Sequence, residues 1–436
     1  MKTFISALVA LAAVSAAHAD SPVRLREQFP IDYQYHVSCR VDLSGQLTVP
    51  AENEKDKPST VDVRGTSAIE YDERVLENSL GDKPAPRTLR LYRRTDLQRT
   101  IGGKPQETTI RPSVRRMVIL RTGHREVPFS PDGPLTWNEI DLVRTDVFTP
   151  ALASLLPDRP VSVGDRWQAG PAAIEELTDI EKVEEGSLEC RFDEITTLAG
   201  RRLARVRFNG TIRGINDDGP NKQALDGYFY FDLGSNHLSY LSLSGTHYLL
   251  DKDGKTTGAI KGQFVLTRQA NASPDLDDQT VRRLQLEPNA DNTLLLYDNP
   301  ELGIKFLHPR RWRIGQIRGR QVTLDESTGN SLMISIETLK DTPTPADYLT
   351  EVKSFLTKQK ASVLTSDPPR SLAPPPNELT EFGLDVEMDR QKVRLQYYVS
   401  RQAGGGALVA ARLIPRDLNA IRGEVDRIVR SMQVGK

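Results

Sequence analysis

Arginine is the residue type most densely grouped for chemistry in this chain. The stretch HPRRWRIGQIRGR places Arg310, Arg311, Arg313, Arg318 and Arg320 close together, and RPSVRRMVILRTGHR does the same for Arg115, Arg116, Arg121 and Arg125. Grouped guanidinium forks suit an anion: a phosphate, an acidic polysaccharide or an acidic protein. The competing reading is a solvated sheet edge, where charge discourages edge-to-edge association. The edge reading is preferred, and the Arg310–Arg320 group is retained as the candidate anion- or partner-binding site. Few aromatics lie beside these runs, which argues against single-stranded nucleic acid and its need for stacking platforms.

Other reactive residues are scattered. His36, His124, His237, His247 and His308 form no HxH or HExxH pair. His237 and His247 fall near adjoining strands, where a zinc pair is conceivable, but the reading is that there is no metal site. No GxSxG elbow, Walker loop or GxGxxG turn occurs. Gly404-Gly405-Gly406 reads as a hairpin loop, because a strand and not a helix follows it. Cys39 in YQYHVSCRVDL and Cys190 in LECRF each sit on the apolar side of an alternating strand. They are left open as a disulfide or as two buried thiols, whose burial would make Cys39 a poor nucleophile. The expectation is no catalytic residue and no cofactor.

The elements that must position these residues begin after a leader. MKTFISALVALAAVSAAHA has a basic start, an apolar run and Ala17-His18-Ala19, so residues 1–19 read as a signal peptide. The expected protein is exported, periplasmic or secreted, with no transmembrane segment after cleavage. The chain has 436 residues, 27% charged and 38% hydrophobic, with a net charge of −1. That is globular composition with length for more than one domain, and no global field favours nucleic acid.

From Tyr33 to Arg268 the dominant period is two, as in ARVRFNGTIRG and GYFYFDLGSNHLSYLSLSGTHYLL. Residues 20–270 therefore read as a large curved antiparallel β-sheet or open barrel with one solvated face. KPQETTIRPS and PAENEKDKPST read as mobile loops. Thr136-Trp137-Asn138-Glu139 has capping-box spacing and starts a helix that Pro150 must break or restart. Residues 271–292 carry no sustained period and read as a linker, with the boundary near residue 285. Residues 293–436 read as an α+β domain. Its first helix starts at Thr344-Pro345 and should bury Leu349, Val352, Phe355 and Leu356. Its last helix should bury Leu418, Ile421, Val425, Ile428, Val429 and Met432.

Two resemblances follow from particular residues. Asn299-Pro300, Gly303, Ile304, Phe306, Pro309 and Trp312, with the later strands and the closing VDRIVRSMQV helix, resemble the PsbP-like exported domain superfamily. This resemblance implies an α/β sandwich for the C-terminal part and places Trp312 in its core. GPLTWNEIDLV followed by LLPDRPVSVGDRW resembles an uncharacterised family of exported bacterial proteins with an LLP-x-x-PV-x-VGD-x-W motif, over residues 133–268. Its strands suggest, by analogy, a sheet like that of the lipoprotein carrier LolA. Within that motif Asp165 reads as a turn residue beside Gly164, capping amides while Trp167 packs below. Neither resemblance brings catalytic residues. The functional expectation is a non-catalytic exported protein that binds an apolar ligand or an envelope protein partner. The alternatives are a hydrolase with a loop-borne site and a structural scaffold.

Overall fold

The computed structural model describes residues 21–49, 58–77, 87–122, 125–216, 219–388, 391–416 and 418–435. The leader, His124 and most of PAENEKDKPST lie outside the described residues. The fold is mostly antiparallel sheet with a minority of helix, arranged as open sheets.

The first sheet is built from β1 (Gln34–Val49), β2 (Ser59–Val75), β3 (Arg87–Ile101), β4 (Lys104–Thr108), β5 (Arg116–Thr122) and β6 (Arg125–Phe129). β7 (Arg166–Gln168), β8 (Lys182–Leu198), β9 (Arg201–Asn216), β10 (Gly219–Asp232), β11 (His237–Leu250) and β12 (Thr256–Ala270) complete it. The spatial order is β6-β5-β3-β2-β1-β12-β11-β10-β9-β8-β7, with β4 also on β3. Alternation sends Tyr35, Val37 and Cys39 to the inner face with Leu266, Leu241, Phe229 and Val206 from neighbouring strands, all buried in one core. The stretch KPQETTIRPS is ordered, unlike the expected loop: β4 pairs with β3 and a 3-10 turn follows at Pro112–Val114. Its polar composition reflects an exposed edge hairpin rather than mobility.

Helical elements cap one end of the inner face. They are α1 (Trp137–Val143), a 3-10 segment (Thr149–Leu155) and α2 (Pro171–Thr178). The capping box at Thr136 and Glu139 is formed in both directions, and Arg111 grips both Glu139 oxygens at 2.8 Å. Leu142, Val143, Phe148, Leu152 and Leu155 are buried beneath the cap.

The segment after β12 is packed. Leu276, of a 3-10 turn, and Val281, of α3 (Asp278–Val281), are buried against Leu89, Val118 and Phe129, on the sheet face opposite the core. Arg74 donates to the Leu276 carbonyl at 2.6 Å and pairs with Asp278 at 2.5 Å. A polar connection without period is therefore held down by a few leucines and by arginines from β2 and β3.

The second unit has a small sheet of β13 (Leu295–Asn299), β14 (Ile304–His308) and, at the C-terminus, β23 (Gln433–Val434). Its larger sheet holds β15 (Trp312–Arg318), β16 (Gln321–Glu326), β17 (Ser331–Glu337), β18 (Ser362–Ser366), β19 (Arg370–Ala373), β20 (Glu378–Met388), β21 (Gln391–Gln402) and β22 (Gly405–Leu413). Helix α5 (Leu418–Arg430) covers one face through Ile421, Val425, Ile428 and Val429. Helix α4 (Pro345–Lys358) covers the other through Val352 and Leu356 against Phe382, Leu384 and Val399. Phe355 departs from expectation and is 58% exposed. The seam of α4 is narrow, so the next position around the helix turns to solvent. Trp312 is fully buried in the α5-side core.

The two units touch. Leu296 N donates to Leu135 O at 2.8 Å, and Leu295 belongs to the first core.

Candidate functional site

A cavity of about 1200 Å³ lies beside the helical cap. One wall is the extended segment Arg24–Pro30. The other comes from Pro150, Ala153, Leu156, Pro157, Trp167, Pro171 and Ala172.

The N-terminal wall is pinned at two points. Val23 and Val161 exchange backbone hydrogen bonds of 2.8 and 2.9 Å. Glu27 forms a buried ion pair with Arg268 of β12 and accepts from Leu238 N at 3.2 Å. Arg268 also lies 5.1 Å from the ring centroids of both Phe29 and Tyr35. The segment is thus fixed to the sheet by charge, while Leu25 and Phe29 are buried in the core.

The opposite wall comes from the LLPDRPVSVGDRW motif. Gly164 has φ +96°, a conformation favoured for glycine. Ser162 N donates to Asp165 Oδ2 at 3.0 Å, and Arg159 donates to the same oxygen at 3.3 Å. The Ser162 amide, and then Arg159, hold the Asp165 carboxyl below its ordinary range. Gly164 and Asp165 bond to Phe192 of β8, so the turn lays β7 on the sheet. Trp167, half-buried, then fixes its indole by donating to Leu155 O at 2.8 Å. Gly170 donates to Ser154 O at 2.7 Å. A Cβ on Gly170 would come within 3.2 Å of the Ser154 Cβ, so glycine sets the width of this wall.

The cap is tied to the sheet by a fully buried polar network. Arg90 donates to Glu73 at 2.8 Å, to Asp146 at 2.6 Å and to Val147 O at 3.3 Å. Tyr92 donates to Asp146 at 2.8 Å, and Thr149 Oγ1 bridges Tyr35 and Glu73 at 2.8 and 3.1 Å. Burial pushes the Asp146 carboxyl up to about 7, although Arg90 pulls it the other way. A guanidinium this deep is stabilised by the carboxyl groups of Glu73 and Asp146, both of which it contacts.

The arginines retained as a binding site are divided among different tasks. Arg310 donates to Thr293 O at 3.0 Å and to Pro128 O, and burial lowers its pKa to about 10. Arg313 stacks 4.1 Å from the Trp137 ring centroid. Arg311 pairs with Glu424 at 2.8 Å, sharing that carboxylate with the Trp312 indole. Arg320 donates to Ile336 O at 2.9 Å, and Arg318 is exposed. In the other run, Arg116 pairs with Asp132 at 2.7 Å and Arg121 with Glu176.

His237 and His247 lie ten positions apart on the single strand β11, roughly 33 Å at strand rise. The turn at residues 233–236 precedes both histidines, and one strand at that separation does not bring them together. Among the described residues there is no group of three or more metal-ligating side chains. His36 meets Asp72 at 2.9 Å, and His308 is buried. Cys39 and Cys190 are free, buried thiols on β1 and β8, strands with four others between them in the sheet. Burial raises both, Cys190 to about 12.

Sequence reasoning found the Gly164–Trp167 turn but missed that the motif walls a cleft. It also missed the N-terminal wall and the buried network. Arg90 left a signal: it shares the inward parity of Tyr92 within an otherwise solvated arginine run.

No family model matches the chain, and no curated protein matches it. Among solved structures, the PsbP protein CyanoP of Synechocystis sp. PCC 6803 aligns at 15% identity over 32% of this chain and 92% of its own, with a TM-score of 0.27. Lipovitellin aligns at 8% identity over 57% of this chain and 26% of its own, with a TM-score of 0.32. DynF of Micromonospora chersina aligns at 9% over 59% of this chain and 90% of its own, with a TM-score of 0.14. None of the three bears on activity or ligand.

Proposed function

We propose that the chain is a non-catalytic binding protein of an exported compartment, whose first unit takes an apolar ligand in the cleft beside the cap. The observation that carries this is the composition of the cleft. Its apolar lining is four prolines (Pro30, Pro150, Pro157 and Pro171), two alanines, Leu156 and Trp167, interspersed with Gln28, Ser154 and Gln168. Its width is set by backbone bonds at both ends, so the site is preformed. Charged side chains also line it (Arg24, Arg26, Asp158 and Glu175), and Glu27 is paired with Arg268. An apolar molecule with a polar end fits that distribution. The second unit, covered on both sheet faces, acts in assembly.

The test is titration with a dansylated undecanoic acid probe, together with solvent extraction and mass spectrometry of protein isolated from its native envelope. The expected result is probe binding, lost in Ala172→Asp and Leu156→Asp variants that melt like the parent. Co-purification of a protein whose apolar segment competes with the probe would support the envelope-partner reading of the same cleft. Probe binding unaffected by either substitution would overturn the assignment to this cleft.

A further inference from the structure

A second concavity lies on the opposite, polar face of the first sheet, well removed from the cap. Its volume is about 760 Å³, and it crosses β2, β1, β12, β11 and β10. Strand register arranges its floor in two rows. Thr66, Asp42, Gln263, Ser244 and Asp226 are consecutive cross-strand neighbours in one; Arg64, Ser44, Lys261, Thr246 and Ala224 are neighbours in the other.

Between these rows runs a third row, whose side chains point to the other face: Gly65, Leu43, Gly262, Gly245 and Leu225. Glycine inside a strand marks a bend or a close approach. A Cβ on Gly245 would meet Leu225 Cδ2 at 2.9 Å, and one on Gly65 would meet Leu43 at 3.1 Å. The missing side chains on that face let the sheet crease, and the crease opens the groove on the polar face.

The groove's polar side chains make no hydrogen bond or ion pair to a described residue. Elsewhere on the sheet some exposed charges pair, as Arg94 does with Asp96 at 2.6 Å and Arg207 with Asp193 at 3.0 Å. Tyrosines flank the groove. Tyr228, Tyr230 and Tyr240 form a cluster with centroids 5.7–5.9 Å apart, and Arg205 covers Tyr228 at 4.9 Å. Tyr228 is two residues from Asp226 on β10. Tyr248, with Lys222 5.8 Å away, stands on the other side.

We infer that this groove binds a neutral oligosaccharide. Carboxylate, amide and hydroxyl groups on rigid strands match the paired donors and acceptors of vicinal hydroxyls. The partly buried tyrosine cluster beside the groove leaves ring edges and hydroxyls at the surface, which suit sugar C–H and hydroxyl groups. Asp42 and Asp226 balance Arg64 and Lys261, so no field selects an anionic polymer. Five strands at about 4.8 Å spacing span roughly 20 Å, the reach of an oligomer and not of one sugar. The site is separate from the apolar cleft, so the two readings stand or fall independently.

The test is affinity electrophoresis of the intact protein through gels containing dextran, glycogen, hydroxyethyl cellulose or glycol chitin, with heparin as the anionic comparator. Calorimetry with the tetrasaccharide of any retarding polymer follows. The inference expects retardation by at least one neutral polymer. It also expects roughly tenfold or weaker binding in Tyr228→Ala, and weakening in the exposed variants Asp226→Ala and Gln263→Ala, which do not threaten folding. Ala172→Asp should leave this binding intact. Retardation by heparin alone, by no neutral polymer, or equally in folded Asp226→Ala and Gln263→Ala variants would overturn it.

Discussion

The two units bury charge and sheet surface differently, and the difference coincides with the cleft beside the cap. In the second, α4 and α5 cover opposite faces of the larger sheet. Its most buried acid, Glu381, reaches outward to Arg370 and Arg422, which keep solvent contact. In the first, the helical cap covers one end of one face. Glu73, Arg90 and Asp146, and separately Glu27 and Arg268, are paired with no solvent-exposed member. Exposed partners contribute little to stability, whereas breaking a fully buried pair strands a charge. The first unit therefore holds its cap and N-terminal wall by costly interior contacts, beside the cleft of about 1200 Å³. The second keeps polar chemistry at its surface and closes its core with apolar contacts.

The sharpest way to break this comparison is to remove one cation from each unit. Arg90→Met leaves Glu73 and Asp146 facing each other without a counter-ion and should cost about 3–5 kcal/mol. Arg422→Met should cost roughly 0–1 kcal/mol, because Glu381 keeps Arg370 and solvent. Urea unfolding followed by circular dichroism gives both values. Similar losses would show that the two interiors do not differ. Trp312→Ala should match the Arg90 variant, at about 3–5 kcal/mol, through lost burial and the cavity left. Trp167→Ala, at a half-buried position, should cost less and should weaken binding of the acyl probe. A Trp312 variant that melts like the parent would refute its core role.

Acidity separates the units next. The Asp146 carboxyl rises from its ordinary 3.8 to about 7 in the fold, so between those values the folded state holds a proton that the unfolded chain releases. Stability therefore falls as pH rises from about 4 to about 7 and then levels off. Glu326 of the second unit has the opposite sign. Burial opposes its charge, but hydrogen bonds from Thr328 and Asn330 win and hold it below 4.5. Its contribution is present at neutral pH and lost in acid. His237 and His308, lowered by burial, also lose stability as pH falls below 6.5, so the Asp146 effect is read from a difference. Parent and Asp146→Asn melting curves should diverge between pH 4 and 7, with the parent losing stability more steeply toward neutral pH. Parallel curves would sink the assignment.

Much of this comparison was legible from residue order. Alternation along YQYHVSCRVDL placed Cys39 inward, Thr136 and Glu139 announced their capping box, and Ile421 to Val429 marked the buried stripe of α5. What failed to read was whatever depends on strand neighbours distant in sequence. The groove needs Asp42, Thr66, Asp226, Ser244 and Gln263 side by side, and only the register of five strands puts them there. The cleft likewise needs Arg24–Pro30 to cross to Val161. His237 and His247 read as lying near adjoining strands, but both fall on β11. Phe355 misled because helical spacing does not say how wide a seam the sheet offers.

The smallest effect concerns the junction. Arg313 lies over Trp137 while Arg310 reaches Pro128 O, so two arginines of the second unit grip the first. A cation–π contact at a partly exposed site contributes about 0.5–1 kcal/mol, and Arg313→Ala should lower the melting midpoint only slightly. Its clearer signature is local. Residues 271–292 are held by Leu276 and Val281 on one side and by the docked second unit on the other. Loosening that dock should expose the segment to protease before either sheet unfolds, since local opening follows the local contacts. Limited trypsin digestion of the parent should spare Arg282 and Arg283, while the Arg313→Ala variant should be cut there first and yield two resistant fragments. Leu276→Ala removes the anchor on the other side and should give the same fragments faster. Cutting at Arg282 or Arg283 in the parent at the variant's rate would mean that the contacts around the junction do not restrain it, and that the two units are joined by chain alone.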